Sequence, residues 1–477
     1  MKRRMVFPAG VALLLALMSV PALALAAAPR LPDTPAGRHA AAWLAAFNSG
    51  DEVAMRAMYE RHLAARELAA VPMERRLRQY AAARPRDGEM SLERIVQSEE
   101  GFLRLVTSAA TGGFRQLDFE CEPDRPHGLV GIGVMMLRDP AAAAPRPPAI
   151  TAAELPAKFD AYLTERAKAG TFAGVVLVAR DGKPVLRKAY GLAERRFEAA
   201  NREDTRFNVG SLGKLVTKLA IAQLAEAGTL GLDDPLGRWL PDWPKESAGK
   251  ITVDMLCDHR AGTTDFFNER YQRMDRSSLR HNRDYVVLFR DDSLWFEPGT
   301  SQRYSNGGYV LLGEIVARAS GEDYYDYVRR HIFEPAGMKG TDAYAADDPT
   351  PNLAMGYYPE QDGSLRENVH TRPARGSAAG GSYSTVDDLL ALEQALRGGR
   401  LVGPAWSAWV LGGPRPGPAP GTEAMPDRYV MAGGAPGITA RLDHVGPWTF
   451  VLLSNLDRRL LGHVEEDLHE WLRGARD

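Results

Sequence analysis

Residues 208–224 read NVGSLGKLVTKLAIAQL. Leu215, Val216, Leu219, Ala220, Ala222 and Leu224 recur at helical spacing, with no Gly or Pro after Gly213, which predicts a buried helix. Lys214 then stands in its first turn on a face that should be dry, where an unpaired charge costs free energy. Residues three apart share a helix face, so the Lys214 amine is within reach of the Ser211 hydroxyl. Burial and the partly positive amides of a helix N-terminus both disfavour the ammonium form. A neutral lysine is a base, able to take the proton of Ser211 and turn it into a nucleophile. The competing reading is structural: Ser211 caps the helix and Lys214 snorkels to water. A second Ser-x-x-Lys, Ser247 to Lys250 (SAGK), follows the turn LPDWP, contains Gly249 and reads as a loop, so spacing alone does not decide.

The surrounding chain narrows the choice. With 477 residues and 45% hydrophobic content, it is long enough for two or three globular domains. Its 59 basic and 61 acidic residues nearly balance, leaving no electrostatic footprint for nucleic acid or an anionic membrane, so small molecules are the expected partners. The first 28 residues carry a basic start at Lys2 to Arg4, an apolar stretch around Val11 to Val20 and small residues near Ala24 to Ala28. This pattern reads as a signal peptide of an exported protein, periplasmic or secreted, with no stable membrane insertion after its removal. An uncleaved anchor is the alternative. Cys121 and Cys257 flank a Pro/Ala linker over 138–152 and lack zinc spacing, and neither a metal nor any other cofactor is expected.

Before the linker, residues 33–137 read as a small α+β domain. Helices are expected around 37–48 and 51–69, followed by strands FLRLVTSA, FRQLDFECE and GLVGIGVMML. The phrase AAWLAAFNSGDEVAMRAMYERH (41–62), with this order behind it, resembles the cone-shaped nuclear-transport-factor-2-like fold, which implies a structural or dimerising role here. After the linker, 153–477 begins with a hairpin over 172–191 turning at Arg180-Asp181-Gly182-Lys183. It closes with strands around 441–444 and 448–453 and a helix over 461–473. Strands at both ends with helices between predict one antiparallel sheet flanked by helices, with a helical region inserted, an α+β fold.

A second motif lies at 297–312, EPGTSQRYSNGGYVLL, where Tyr304 and Asn306 form a Tyr-x-Asn triplet ahead of an apolar helix over 307–318. Alone, these are ordinary helix-entry residues. Together with Ser211 and Lys214 the chain resembles the serine hydrolases of the β-lactamase and penicillin-binding-protein superfamily, class C type. The resemblance runs through VGSLGKLVTKLAIAQLAEAGTLGLDDPLGRWLPDW, ITVDMLCDHRAG, FEPGTSQRYSNGGYVLLGEIVARASG, HIFEPAGMKGTD and AAGGSYSTVDDLLAL, in family order.

The resemblance implies that Ser211 is the acylated nucleophile, Lys214 its base, Tyr304 the second proton carrier, and Asn306 the residue holding Lys214 and the substrate. It also implies an oxyanion hole built from the N–H groups of Ser211 and Gly434. Family members usually carry Lys or His two residues before the glycine of a late strand. Here RYVMAGGAPGIT puts Met431 in that place and Gly433 in the glycine position, both as substrate-binding residues. A thioether cannot bind a carboxylate, so a neutral ester suits the site better than a penicillin or a peptidoglycan terminus. Efficient cleavage of carboxylate substrates would need another cation, such as Arg372, Arg375 or Arg441. The implied function is an esterase or amidase of small substrates. Alternatives are a β-lactamase or D-amino-acid peptide hydrolase and, in another class, a degenerate binding protein. His259, in CDHRAG, reads as a hydrogen-bonding turn residue, and His444, in a turn between the closing strands, as unconnected with the site. The oligomeric state is not written in the sequence.

Overall fold

The hairpin expected over 172–191 supplies the two strands that frame the larger of two compact units, Met1–Arg146 and Pro147–Asp477. The computed structural model describes residues 29–70, 72–122, 125–137, 150–360, 362, 364–417, 425–462 and 464–475. The expected signal peptide and most of the linker lie outside them.

In the first unit, α1 (Pro35–Ser49) starts at a Thr34 cap whose hydroxyl accepts from Gly37 N–H and stops at left-handed Gly50. Helices α2 (Glu52–His62), α3 (Ala65–Ala70) and α4 (Met73–Asp87) follow. Strands β1 (Met90–Ser98), β2 (Phe102–Ala109), β3 (Phe114–Cys121) and β4 (Leu129–Leu137) form an antiparallel meander. Trp43, Phe47, Met55 and Tyr80 bury against Leu103, Leu105, Leu117 and Phe119 of the sheet. The single helix expected over 51–69 is broken at Leu63 and Ala64, where Ala64 N–H bonds Leu129 O at 2.9 Å and docks the chain on β4. Two elements escape the periodicity. The α4 stretch MERRLRQYAAARPRD buries few apolar side chains, and β1 pairs with β2 through two register shifts that break its alternation.

In the second unit, α5 (Leu155–Lys168) precedes β5 (Gly174–Arg180) and β6 (Lys183–Tyr190). The helix that follows Ser211 is α6 (Lys214–Glu226), the helix entered by Tyr-x-Asn is α7 (Asn306–Ser320), and α8 spans Val386–Arg397. Strands β7 (Arg428–Ala435), β8 (Ile438–Val445) and β9 (Trp448–Ser454) close the sheet before α9 (Val464–Gly474). The strand order is β7-β8-β9-β5-β6, antiparallel throughout, so the two chain ends build one sheet as the sequence implies. Strand β5 is apolar without alternation because both its faces are covered. Val176 and Val178 pack with Phe159, Leu163, Leu468 and Leu472 of α5 and α9, whereas Val175 and Leu177 join the core of α6 to α8. The Ser247 stretch is a helical turn, Lys245–Ala248, rather than a loop, and the last helix begins only after a separate turn at Arg458–Leu461. His444 is buried inside β8, its Nδ1 3.1 Å from Glu393, so it is a strand residue rather than a turn residue. Cys121 and Cys257 are both free and buried.

Candidate active site

The helix over the sheet does not begin at Ser211. Residues Gly210–Gly213 form one 3-10 turn, and Lys214 is the first residue of α6. Lys214 is only 7% exposed, and burial lowers its amine to about 7, with the negative charge of Asp265 working the other way. Its Nζ lies 2.7 Å from Asn306 Oδ1, 2.5 Å from Ala379 O and 3.4 Å from Ser211 Oγ. A neutral amine has two N–H donors and one lone pair. The two close oxygens can only accept and so take both donors, which leaves the lone pair for the Ser211 hydroxyl.

Tyr304 and Asn306 arrive from the other side of the site. The intervening Ser305 caps α7, its hydroxyl accepting from Gly308 N–H at 2.9 Å. Tyr304 donates its phenolic hydrogen to Ser211 Oγ at 2.8 Å, and burial raises its pKa, so it stands as the neutral phenol. His259 packs its ring on that phenol at 4.6 Å between centres and accepts Ser305 N–H on Nδ1 at 3.2 Å. Burial, and then the nearby Lys214, push His259 down to about 4, keeping it the neutral acceptor that this bond requires.

Asp265 completes the set, and sequence reasoning missed it. Its Oδ2 accepts from the Asn306 backbone N–H at 3.0 Å and from Asn306 Nδ2 at 2.8 Å. That bond orients the carboxamide, so that Oδ1 and not the NH2 group faces Lys214. The stretch TTDF carries no spacing that ties it to Tyr304 or Asn306, so only the tertiary fold reveals the connection.

Strand β7 meets the Ser211 turn backbone to backbone. A Cβ on Gly433 would lie 1.9 Å from Val209 O and 3.0 Å from Ser211 N, and one on Gly210, whose φ is +51°, would lie 2.9 Å from Gly434 N. The amides of Ser211 and Gly434 are therefore held in adjacent segments with no side chain between them. A cavity of about 260 Å³ opens beside Ser211, lined by Lys214, Tyr304, Tyr309 and Met431 among others. None of Arg372, Arg375 or Arg441 lines it. Arg372 bonds Tyr383, Arg375 bonds Ala343 O, and Arg441 pairs with buried Asp443. Among the described residues no cluster of three His, Cys, Asp or Glu could hold a metal, and no helix is long and apolar enough to cross a membrane.

The family described as Beta-lactamase matches residues 159–470. The chain belongs to the beta-lactamase family. Penicillin-binding protein 4* of Bacillus subtilis (strain 168) is 35% identical over 175 residues, 36% of this chain and 38% of that protein, so the match spans well under half of that relative. Esterase EstB of Burkholderia gladioli is 30% identical over 280 residues, 52% of this chain and 70% of the esterase. The crystal structure of D-amino acid amidase from Ochrobactrum anthropi SV3 complexed with D-phenylalanine superposes with a TM-score of 0.56 and 25% identity. It covers 67% of this chain and 98% of that one. The β-lactamase and penicillin-binding-protein likeness and the antiparallel fold stand confirmed, and with them the class of serine hydrolase.

Proposed function

We propose that this member of the beta-lactamase family hydrolyses small esters or amides through an acyl-enzyme on Ser211. One observation carries the reading: a nearly dry lysine whose two donors are taken by Asn306 and Ala379, leaving its lone pair for the Ser211 hydroxyl. Lys214 takes the serine proton as Oγ attacks the carbonyl. The Ser211 and Gly434 amides receive the developing oxyanion. Tyr304, in contact with Oγ, returns a proton to the departing oxygen or nitrogen. Water then reverses the sequence and frees the acid. Asn306 holds the amine, and Asp265 holds Asn306. The degenerate-binding-protein alternative has no support from a site in which each of these contacts is made.

The relatives include an esterase and a D-amino acid amidase by name, and both bond types fit this proton traffic. Met431 puts a thioether rather than a cation at its position on strand β7. A carboxylate next to the scissile bond, as in a penicillin, would be desolvated without a partner there, at about 1–3 kcal/mol. The basic start, apolar stretch and small residues of the N-terminus support export to the periplasm or medium. A fluorophosphonate probe with peptide mapping tests the chemistry and should mark Ser211. On a substrate panel, neutral short-chain esters should exceed penicillins in kcat/KM. Faster turnover of penicillins would favour a β-lactamase instead.

A further inference from the structure

Lys218 lies one helical turn beyond Lys214 and lines the same cavity as Ser211. Its Nζ stands 4.3 Å from the centre of the Trp409 ring, and that buried indole props the side chain. Among the described residues neither a carboxylate nor a hydrogen-bond acceptor meets this ammonium. The neighbouring wall is apolar, formed by Leu215, Tyr309, Val410 and Met431. The indole face attracts the ammonium only weakly compared with a full counter-ion, so the charge stays largely uncompensated in a half-apolar setting. Its placement makes sense if an anion arrives with the substrate.

We propose that Lys218 binds a carboxylate carried at the far end of the leaving group. The assignment rests on the serine hydrolase reading above. Tyr304, the proton donor to the leaving atom in that reading, lines the same cavity, so the part of the substrate lodged there is the part that departs. Three residues of 3-10 rise and four of α-helical rise separate Ser211 from Lys218 by about 12 Å along the axis, and the lysine side chain leans back toward the helix N-terminus. The carboxylate therefore sits several bonds from the scissile carbonyl. This differs from the penicillin pattern, whose carboxylate would face Met431. The anion takes no part in bond making: Ser211 Oγ bonds the carbonyl carbon, the bond to the leaving oxygen breaks, and that oxygen gains the proton.

Two butyryl esters test this, one of 3-hydroxyphenylacetic acid and one of 3-hydroxyphenylacetamide, which differ in charge but hardly in shape. The wild type should favour the acid by about tenfold or more in kcat/KM, the scale of one charge-assisted hydrogen bond. Lys218→Gln should bring the ratio to about one, and Lys218→Arg should keep it. A wild-type ratio of one, or a ratio unmoved in Lys218→Gln, overturns the assignment. Fluorophosphonate labelling of Ser211, run on each variant, separates the two failures. Labelling with a flat ratio condemns only the role of Lys218, whereas a wild type that neither labels nor cleaves condemns the hydrolase reading as well.

Discussion

Two stretches of this chain share the pattern Ser-x-x-Lys, and the fold treats them in opposite ways. At Ser211 the pattern bridges a 3-10 turn and a buried helix, the lysine is almost dry, and the serine hydroxyl meets the phenol of a second segment. At Ser247 the pattern leaves a four-residue helical turn. The serine hydroxyl donates to Pro244 O at 3.3 Å and accepts from Trp243 Nε1 at 3.1 Å, while the exposed Lys250 amine pairs with Glu297 at 2.7 Å. The serine is fully engaged in one place and poised in the other. The difference teaches that three-residue spacing supplies only the reach. Desolvation of the amine and a free direction on the hydroxyl supply the chemistry.

The largest test of that contrast is a pair of substitutions. Ser211→Ala should lower hydrolysis of a chromogenic short-chain ester by more than about 10³-fold, and Ser247→Ala should leave it within a few-fold. Equal losses would make the two stretches equivalent and end the assignment.

A smaller effect sharpens the account of the poised site. Lys214→Ala or Tyr304→Phe should each cost on the order of 10²–10⁴ in kcat, and the double variant far less than the product, because both serve one proton path through Ser211. Strictly multiplicative losses would show independent roles. In the wild type, kcat/KM should rise as pH climbs through about 7. Lys214, lowered to that value by burial, works only when deprotonated, and Tyr304 has been raised rather than lowered, so it adds no falling limb in the neutral range.

The smallest effect concerns Asp265. Asp265→Asn should reduce kcat/KM by about tenfold, the scale of one hydrogen bond to a charged group. It should also move the rising limb to lower pH, since the carboxylate is the influence holding the Lys214 amine up. A role confined to stability would leave the limb where it is.

How much of this was legible in the sequence follows from distance along the chain. Ser211 with Lys214, and Tyr304 with Asn306, are short-range pairs, and helix geometry exposes both. The hairpin turning at Asp181 and Gly182 was equally plain, and β5 and β6 meet there as expected. Asp265 touches Asn306 across 41 residues, and Ala379 O touches Lys214 across 165, separations that carry no periodic signal. Lys218 drew no reading from the sequence, because only the fold shows that its face continues the cavity of Ser211. In the first unit α4 and β1 stayed hidden because charge, in one, and register shifts, in the other, erase the pattern that burial normally writes.

The contact between Gly433 and the nucleophile turn divides the strand into positions that are frozen and positions that are free to drift. No side chain of any size fits at 433, because even a methyl group would strike Val209 O. Two residues earlier Met431 is only partly buried and lines the cavity, where a change of side chain alters the cavity wall and meets no backbone of the Ser211 turn. Under the proposed reading, substitutions at 431 should shift substrate range while the Ser211 turn keeps its setting. A mutational scan of β7 should read as a hinge in tolerance: intolerance at 433, and at 431 a broad set of residues, each giving a stable protein with its own appetite.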